Sequence, residues 1–207
     1  LGVENHGVIT INNSNIKGYS NIKSDGSVYS IGIRNNPKGT LTINNSYVFA
    51  TFSGIQNQGT LYVNGGIYES YYAGGFYLSG TNITPYISNS TIRSCDMPNG
   101  YISEIINGGY GYGFIIGGSS SVNNNSIYMD NCEIYGSEEP FHFRNLGGEK
   151  NNTLYIRNSK ITTDKKIDIG NDTHKLYIGR GNNFTANNTN RPSSVIVTDE
   201  VYTRNDN

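Results

Sequence analysis

The residues whose type and spacing could do chemistry in this chain are tyrosines that recur at one point of a repeated phrase. They are Tyr62, Tyr86, Tyr128, Tyr155 and Tyr177. An aromatic ring with a polar tip binds sugars and protein partners well, so a column of such rings is a candidate binding surface. The column is also compatible with a structural role, because like aromatic side chains on neighbouring strands stabilise a sheet by themselves.

Two more tyrosines, Tyr110 and Tyr112, stand among glycines in an insertion at residues 94–113. A second insertion lies at residues 18–30. Insertions in repeat proteins map to loops on one flank of the fold, which is often the binding flank. We therefore expect the loop at 94–113 either to display its tyrosines beside the column or to pack as an inert flap.

Signals for catalysis are weak in this sequence. Glycoside hydrolysis needs two carboxylates that face one bond, and calcium needs several convergent oxygen ligands. At the outward position two residues after the tyrosine position of each repeat, only Asp130 is acidic, with Glu133 in the following turn. His142 and Arg144 bracket Phe143 and are typical of surface residues. We expect no catalytic residue, no metal site and no cofactor.

The elements that must position the tyrosines are two alternating repeats. One phrase, such as GTLTINNSYVFA at residues 39–50, recurs seven times. Its apolar anchors are Ile11, Ile43, Val63, Ile87, Met129, Ile156 and Ile178. The second phrase has the anchors Ile33, Ile55, Phe76, Phe114, Phe141, Ile167 and Val195. A unit that recurs every 20–50 residues indicates a solenoid, a propeller or an array.

The spacing within each repeat selects the solenoid. Apolar and polar residues alternate as in strands, whereas helical spacing is absent. Turns of about 20–28 residues are too short for a propeller blade and suit a coil of three short strands. Parallel crossovers are right-handed. The sequence therefore predicts an all-β, right-handed parallel β-helix of about seven coils plus a partial N-terminal coil, as a single segment over residues 1–207.

Smaller side chains mark the bends between strands. Asparagines form one predicted column: Asn13, Asn45, Asn89, Asn131 and Asn158. Their amides can hydrogen-bond from coil to coil, which favours a structural role. Cys132 takes the place that serine has in other copies and is interpreted as a small structural thiol. Whether it forms a disulfide with Cys95 stays open, because geometry decides.

Composition and charge narrow the class of partner. The 207 residues carry a formal net charge of −1 and no basic run, which argues against nucleic acid. No apolar stretch of about 18 residues exists, so we expect no membrane insertion. Residues 2–7 match residues 54–59, so we expect the chain to open on the second strand of a preceding coil. Such an open edge favours end-to-end self-association.

The stretch from GTLTINNS to SGIQNQGTLYVNGGIY resembles the right-handed parallel β-helix repeats of bacterial surface proteins, within the pectate-lyase-like superfamily. The resemblance covers nearly the whole chain and implies the fold. It does not choose a function, because the class contains polysaccharide lyases, polygalacturonases, phage tailspikes, adhesins and passive stalks.

From the resemblance and the tyrosine column we expect a non-catalytic extracellular adhesin or stalk, on a bacterial surface or a phage particle. Its expected partner is a polysaccharide, a surface glycan or another surface molecule. A carbohydrate-active enzyme of the β-helix class and a passive spacer are the alternatives.

Overall fold

The computed structural model describes residues 1–19, 30–71, 73–95, 111–117, 122–143, 148–163, 173–179, 181–186 and 195–197. Most of both predicted insertions, including Tyr110, lies outside the described residues, as do Arg144 and Ile167. The described residues contain strands and turns and no helix.

The strands follow one another in the order β1 (Val3–Asn5), β2 (Val8–Asn12), β3 (Asn15–Gly18), β4 (Ile31–Asn35), β5 (Thr40–Ala50), β6 (Ser53–Asn57), β7 (Thr60–Ser70), β8 (Phe76–Leu78), β9 (Tyr86–Ser94), β10 (Tyr112–Ile116), β11 (Ser126–Asp130), β12 (Glu133–Gly136), β13 (Glu139–Phe143), β14 (Thr153–Arg157), β15 (Lys160–Thr163), β16 (Lys175–Ile178), β17 (Asn183–Ala186) and β18 (Val195–Val197).

All strand pairs among the described residues are parallel, and the strands lie on three faces of the coil. The second phrase forms one sheet, in the order β1-β4-β6-β8-β10-β13. The first phrase forms another face from β2, the first halves of β5, β7 and β9, and then β11, β14, β16 and β18. We call this the tyrosine face. The third face follows the bend and contains β3, the second halves of β5, β7 and β9, and β12, β15 and β17. The fold is the predicted right-handed parallel β-helix.

Alternation along each strand sends one set of side chains into the coil. On the tyrosine face an interior leucine column is completely buried; its members are Leu41, Leu61, Leu154 and Leu176. The anchors beside this column are also buried apart from Ile11, which is partly exposed. The aromatic anchors of the second phrase, Phe76, Phe114 and Phe141, are completely buried as well. Tyr68 also lies in this core, where its hydroxyl donates a hydrogen bond of 2.9 Å to the carbonyl of Gly65.

The prediction for Val195 is wrong. The sequence predicts a second-phrase anchor here, but β18 pairs with β16 on the tyrosine face, with Val195 opposite Leu176. The reason is that a Val-Ile-Val run has the alternation of any strand in this fold, so its residue types do not distinguish one face from another. At the other end of the chain, Val3 pairs with Ile33 and Asn5 with Asn35, as expected from the match of residues 2–7 to the second phrase.

The asparagine column has a backbone cause that the prediction did not include. Asn13, Asn45, Asn89, Asn131 and Asn158 have φ values of 46 to 54°, in the left-handed region. Asparagine tolerates that conformation better than other residues with a β-carbon. Coil-to-coil bonding occurs in part, since Asn131 donates to Asn89 over 2.8 Å, but these side chains are exposed.

A buried asparagine ladder lies instead at the end of the second-phrase strands. The amide of Asn5 donates to Asn35 over 2.8 Å, and the amide of Asn35 donates to Asn57 over 2.7 Å. All three side chains are almost completely buried. They satisfy polar groups of the turn that would otherwise be buried without a hydrogen bond.

Cys132 is a buried structural thiol, as its position in the serine column predicts. Its backbone N–H donates to the hydroxyl of Ser159 over 3.0 Å, and burial raises the pKa of its thiol to about 11. Cys95 and Cys132, which both lie among the described residues, form no disulfide bond.

Just before the strands of the tyrosine face, a buried histidine, His174, takes the position that Asn125 and Asn152 have in the two preceding coils. The backbone N–H of Asn125 donates to Oδ1 of Asn152 over 3.2 Å. One coil further, the backbone N–H of Asn152 donates to Nδ1 of His174 over the same distance. His174 is completely buried, and its burial lowers the pKa of the imidazole, although the negative charge of Glu149 opposes this effect.

We predict that His174 makes the fold sensitive to acid. In the unfolded chain the imidazole takes up a proton below about pH 6.5, whereas the folded state keeps it neutral to a lower pH. The stability from His174 is therefore present above this pH and is lost as the pH falls towards the lowered folded pKa. Melting temperatures should fall more steeply between pH 7.5 and 5.5 for the natural chain than for His174→Asn, which copies Asn152. Equal slopes for the two proteins would contradict this.

Candidate binding surface on the tyrosine face

The five predicted tyrosines form one continuous row on the tyrosine face. Strand register places Tyr62 opposite Tyr86, Tyr86 opposite Tyr128, and Tyr155 between Tyr128 and Tyr177. All five point outward, because the residues on either side of each in its strand are buried in the coil. We call this row the tyrosine ladder.

Neighbouring rings of the ladder are stacked almost in parallel. From Tyr62 to Tyr177 the centroids of successive rings are 5.9, 5.2, 4.9 and 5.0 Å apart, and the planes differ by 6 to 10°. The spacing follows from the strands themselves, which lie about 4.8 Å apart in a sheet. Offset stacking at such distances is a favoured arrangement of aromatic rings.

Stacking leaves the inner rings with little face to offer a ligand. Tyr128 and Tyr155 each have a ring on both sides, so their edges and hydroxyl groups are what solvent reaches. Burial raises the pKa of both hydroxyl groups, and their tyrosine neighbours raise it further. The middle of the ladder therefore has the features of a structural element.

The end of the ladder at Tyr62 is open. In the preceding coil the position of the next ring is held by Thr42, which is too small to cover the ring of Tyr62. Tyr62 is accordingly 37% exposed, and among the described residues its ring stacks only with Tyr86. Here the ladder presents an aromatic face together with a hydroxyl group.

Two grooves flank this open end, one on each side of the ladder. The groove towards the strand ends has a volume of about 530 Å³ and is lined by Thr42, Asn44, Tyr62, Val63, Asn64, Tyr86 and Ser88. The groove towards the strand starts has a volume of about 800 Å³ and is lined by Pro37, Gln58, Gly59, Thr60, Tyr62, Ser79, Gly80, Thr81, Asn82, Ile83, Thr84 and Tyr86. Tyr62 and Tyr86 form the ridge between them.

In the groove towards the strand ends, two side-chain amides each have one polar atom available to a ligand. The amide nitrogen of Asn44 donates to Asn12 over 2.7 Å, which leaves Oδ1 of Asn44 without a bond among the described residues. Oδ1 of Asn64 accepts from Asn89 over 2.7 Å, which leaves its amide nitrogen available in the same sense. Asn44 and Asn64 are register partners, so an acceptor and a donor lie on adjacent strands.

Two acidic residues further from the open end, Asp130 on the tyrosine face and Glu133 on the third face, are engaged in ion pairs. Asp130 accepts from Arg157 over 2.6 Å and from Asn158 over 2.9 Å. Partial burial would raise the pKa of Asp130, but these hydrogen bonds outweigh it and hold the pKa below its usual range. Glu133 pairs with Lys160 over 2.7 Å. No three His, Cys, Asp or Glu side chains of the described residues are grouped so that they could hold a metal ion.

Tyr112 lies apart from the ladder. It belongs to β10 in the second-phrase sheet, where its ring stacks on His142 with the centroids 4.3 Å apart. The imidazole Nδ1 of His142 is 2.9 Å from a carboxylate oxygen of Glu139, a pairing that sequence reasoning missed. The structure does not place Tyr112 beside Tyr62, and Tyr110 lies outside the described residues.

Comparisons with known proteins identify the fold. No family model matches the chain, and no curated protein matches it. Among solved structures, the crystal structure of the pectate lyase Pel9A superposes with a TM-score of 0.63 at 13% sequence identity. The match covers 95% of this chain and 50% of that one, so the chain spans about half the length of the structure it resembles. At this identity the likeness establishes the parallel β-helix.

The described residues contain no helix that is long and apolar enough to cross a membrane.

We predict that the inner and the end tyrosines differ in their effect on stability. Tyr155→Thr removes two stacked pairs and should lower the free energy of unfolding by about 1–3 kcal/mol. Tyr62→Thr removes one pair and should cost about half as much, since threonine already stands at this position in Thr42. Chemical denaturation of both variants measures the difference. Equal losses, or a larger loss for Tyr62→Thr, would contradict a structural ladder with an open end.

Proposed function

We propose that this protein is a non-catalytic, carbohydrate-binding module of an extracellular adhesin or stalk, and that it holds a glycan at the open end of the tyrosine ladder. One observation carries the proposal. An exposed aromatic ring stands between two grooves whose other side chains are mostly hydroxyl and amide groups. Ligand sites are typically concave, with an aromatic surface and a few placed polar groups.

The chemistry of a sugar fits this arrangement. The C–H face of a sugar ring is apolar and packs against the face of Tyr62, where burial of an aromatic contact typically contributes about 0.5–1.5 kcal/mol beyond area. The sugar hydroxyl groups both donate and accept hydrogen bonds, as do the amides of Asn44 and Asn64.

Tyr86 and Tyr128, the next two rings of the ladder, have a supporting role in this proposal. Tyr62 stacks on Tyr86, which stacks on Tyr128, and every ring is fixed to a paired strand. A side chain that is already ordered loses little conformational freedom when a ligand binds, which favours affinity. Binding is thus concentrated at one end, whereas the sequence alone suggested the whole column.

A polysaccharide-degrading enzyme is the second candidate, because the fold match to a pectate lyase covers 95% of this chain. The described part of the tyrosine face gives it little support, since Asp130 is paired with Arg157. Turnover of polygalacturonate or of a glucan by the purified protein, or a clear rise of its melting temperature with calcium, would favour the enzyme.

We predict that binding depends on Tyr62 and not on Tyr155. We use any polysaccharide that retains the natural protein in affinity electrophoresis. Tyr62→Thr should weaken binding to it at least about tenfold, which corresponds to ~1.4 kcal/mol. Tyr155→Thr is the matched control and should keep the affinity of the natural protein, because its ring face is not offered to a ligand.

Two outcomes would contradict this proposal. If Tyr155→Thr weakened binding as much as Tyr62→Thr, the ligand would lie along the ladder. If no polysaccharide of a broad panel retained the natural protein, the function of a passive spacer would explain the chain better.

A further inference from the structure

We infer that the ligand is an uncharged, hydroxyl-rich polysaccharide, and that it crosses the end of the ladder parallel to the strands, from one groove to the other. This inference rests on the proposed function, because it specifies the ligand of the same site.

The lining of both grooves carries the first half of the inference. Not one of the described lining residues has a charged side chain. An acidic polysaccharide would bring a carboxylate at regular intervals, and each carboxylate that left water here would lack a cationic partner. A neutral sugar exchanges hydrogen bonds with water for hydrogen bonds with hydroxyl and amide groups at little cost.

In the row two residues after the ladder, the described residues carry charge only beyond the grooves. In this row, Asn44, Asn64 and Ser88 are uncharged, and Asp130 is the register partner of Ser88 in the next coil. Asp130 forms an ion pair of 2.6 Å with Arg157, which is also the register partner of Asp130 in the following coil. No free positive charge of this pair is directed at an acidic ligand.

The available polar atoms also favour a neutral sugar. Oδ1 of Asn44 accepts a hydrogen bond, whereas the amide nitrogen of Asn64 donates one. Adjacent hydroxyl groups of a sugar satisfy both, because a hydroxyl group donates and accepts. A carboxylate only accepts, so it would satisfy Asn64 and place its charge against the oxygen of Asn44.

The shared ridge gives the direction of the chain. Tyr62 and Tyr86 line both grooves, with Asn64 and Ser88 on the strand-end side and Thr60 on the strand-start side. A ligand that fills both grooves therefore follows the strand direction over the ridge, across about 13 Å from position 60 to position 64. A ligand along the coil axis would instead meet the edges of stacked rings, which offer it little apolar face.

The test uses affinity electrophoresis of the natural protein on mannan, galactan and β-glucan as neutral probes, and on polygalacturonate and alginate as acidic probes. We expect retention by at least one neutral polysaccharide and by neither acidic one. Retention should be nearly the same at 20 and 500 mM sodium chloride, because screening acts on charges.

Asn64→Asp probes the polar contact without disturbing the fold. It keeps an oxygen that accepts from Asn89, replaces the available donor with an acceptor and adds a negative charge, so affinity for the neutral probe should fall about tenfold. Asn12→Asp is the matched control, since it adds the same charge in the same row outside both grooves and likewise keeps the oxygen that accepts from Asn44.

Thr84→Glu and Tyr177→Thr test the direction. Thr84 is exposed and lines the groove towards the strand starts, so the larger, charged side chain of Thr84→Glu should weaken binding. Tyr177→Thr, at the far end of the ladder, should not. The reverse result would mean that the ligand follows the coil axis, and it would overturn this part of the inference.

The remaining outcomes separate the inference from the proposed function. Retention only by acidic polysaccharides, still lost in Tyr62→Thr, would overturn the neutral ligand and leave carbohydrate binding in place. Retention that does not depend on Tyr62, or no retention by any probe, would overturn the proposed function and this inference with it.

Discussion

Successive coils are joined by parallel hydrogen bonding between their strands, and this register fixes the position of every other feature. It places equivalent residues of each coil about 4.8 Å apart, directly above one another. Leu41 therefore stacks on Leu61 and Leu154 on Leu176 in the core, and Asn5 meets Asn35 at a buried turn. The outward residue of the same strands stacks in the same way, which turns scattered tyrosines into a ladder.

The register also limits what the ladder can do. Rings held at the strand spacing cover the faces of their neighbours, so each added tyrosine stabilises the stack and removes one face from solvent. A face survives only where the series stops. At one end of the ladder it stops between Thr42 and Tyr62, where threonine replaces tyrosine and a groove lies on each side. Structure and binding are thus divided between the middle and the end of one row.

Much of the fold could be predicted from the sequence, because aligning the repeated phrases shows which residues of neighbouring coils are register partners. The alternation around Leu61, Tyr62 and Val63 was enough to assign interior and exterior, and the burial of Leu61 and Val63 confirms it. Val195 was misassigned, because a three-residue alternation is common to all faces and only the pairing with Leu176 distinguishes them. Tyr68 follows the anchor Val63 by five residues, the same spacing that separates the other core residues of the third face from their anchors. Its burial was nevertheless missed, because a tyrosine is not expected at an apolar core position.

The site could be predicted only in part. Sequence spacing identified the tyrosines, but the tilt and overlap of the rings depend on side-chain geometry, which decides whether a face or an edge meets solvent. The grooves are formed by residues far apart in sequence, such as Gln58 and Thr84, which carry no motif. Likewise, the left-handed backbone at Asn131 could not be inferred from the asparagine column, because a hydrogen-bonded ladder was an equally good explanation of the same residues.

The most direct measurement of the central claim is a nuclear magnetic resonance titration that follows the ring signals of tyrosine, assigned with single Tyr→Phe variants, as a neutral oligosaccharide is added. We predict that the signals of Tyr62 and Tyr86 shift with a common saturation curve, while those of Tyr155 and Tyr177 stay in place. Shifts of similar size along the whole ladder, or shifts elsewhere with Tyr62 unchanged, would contradict binding at its open end.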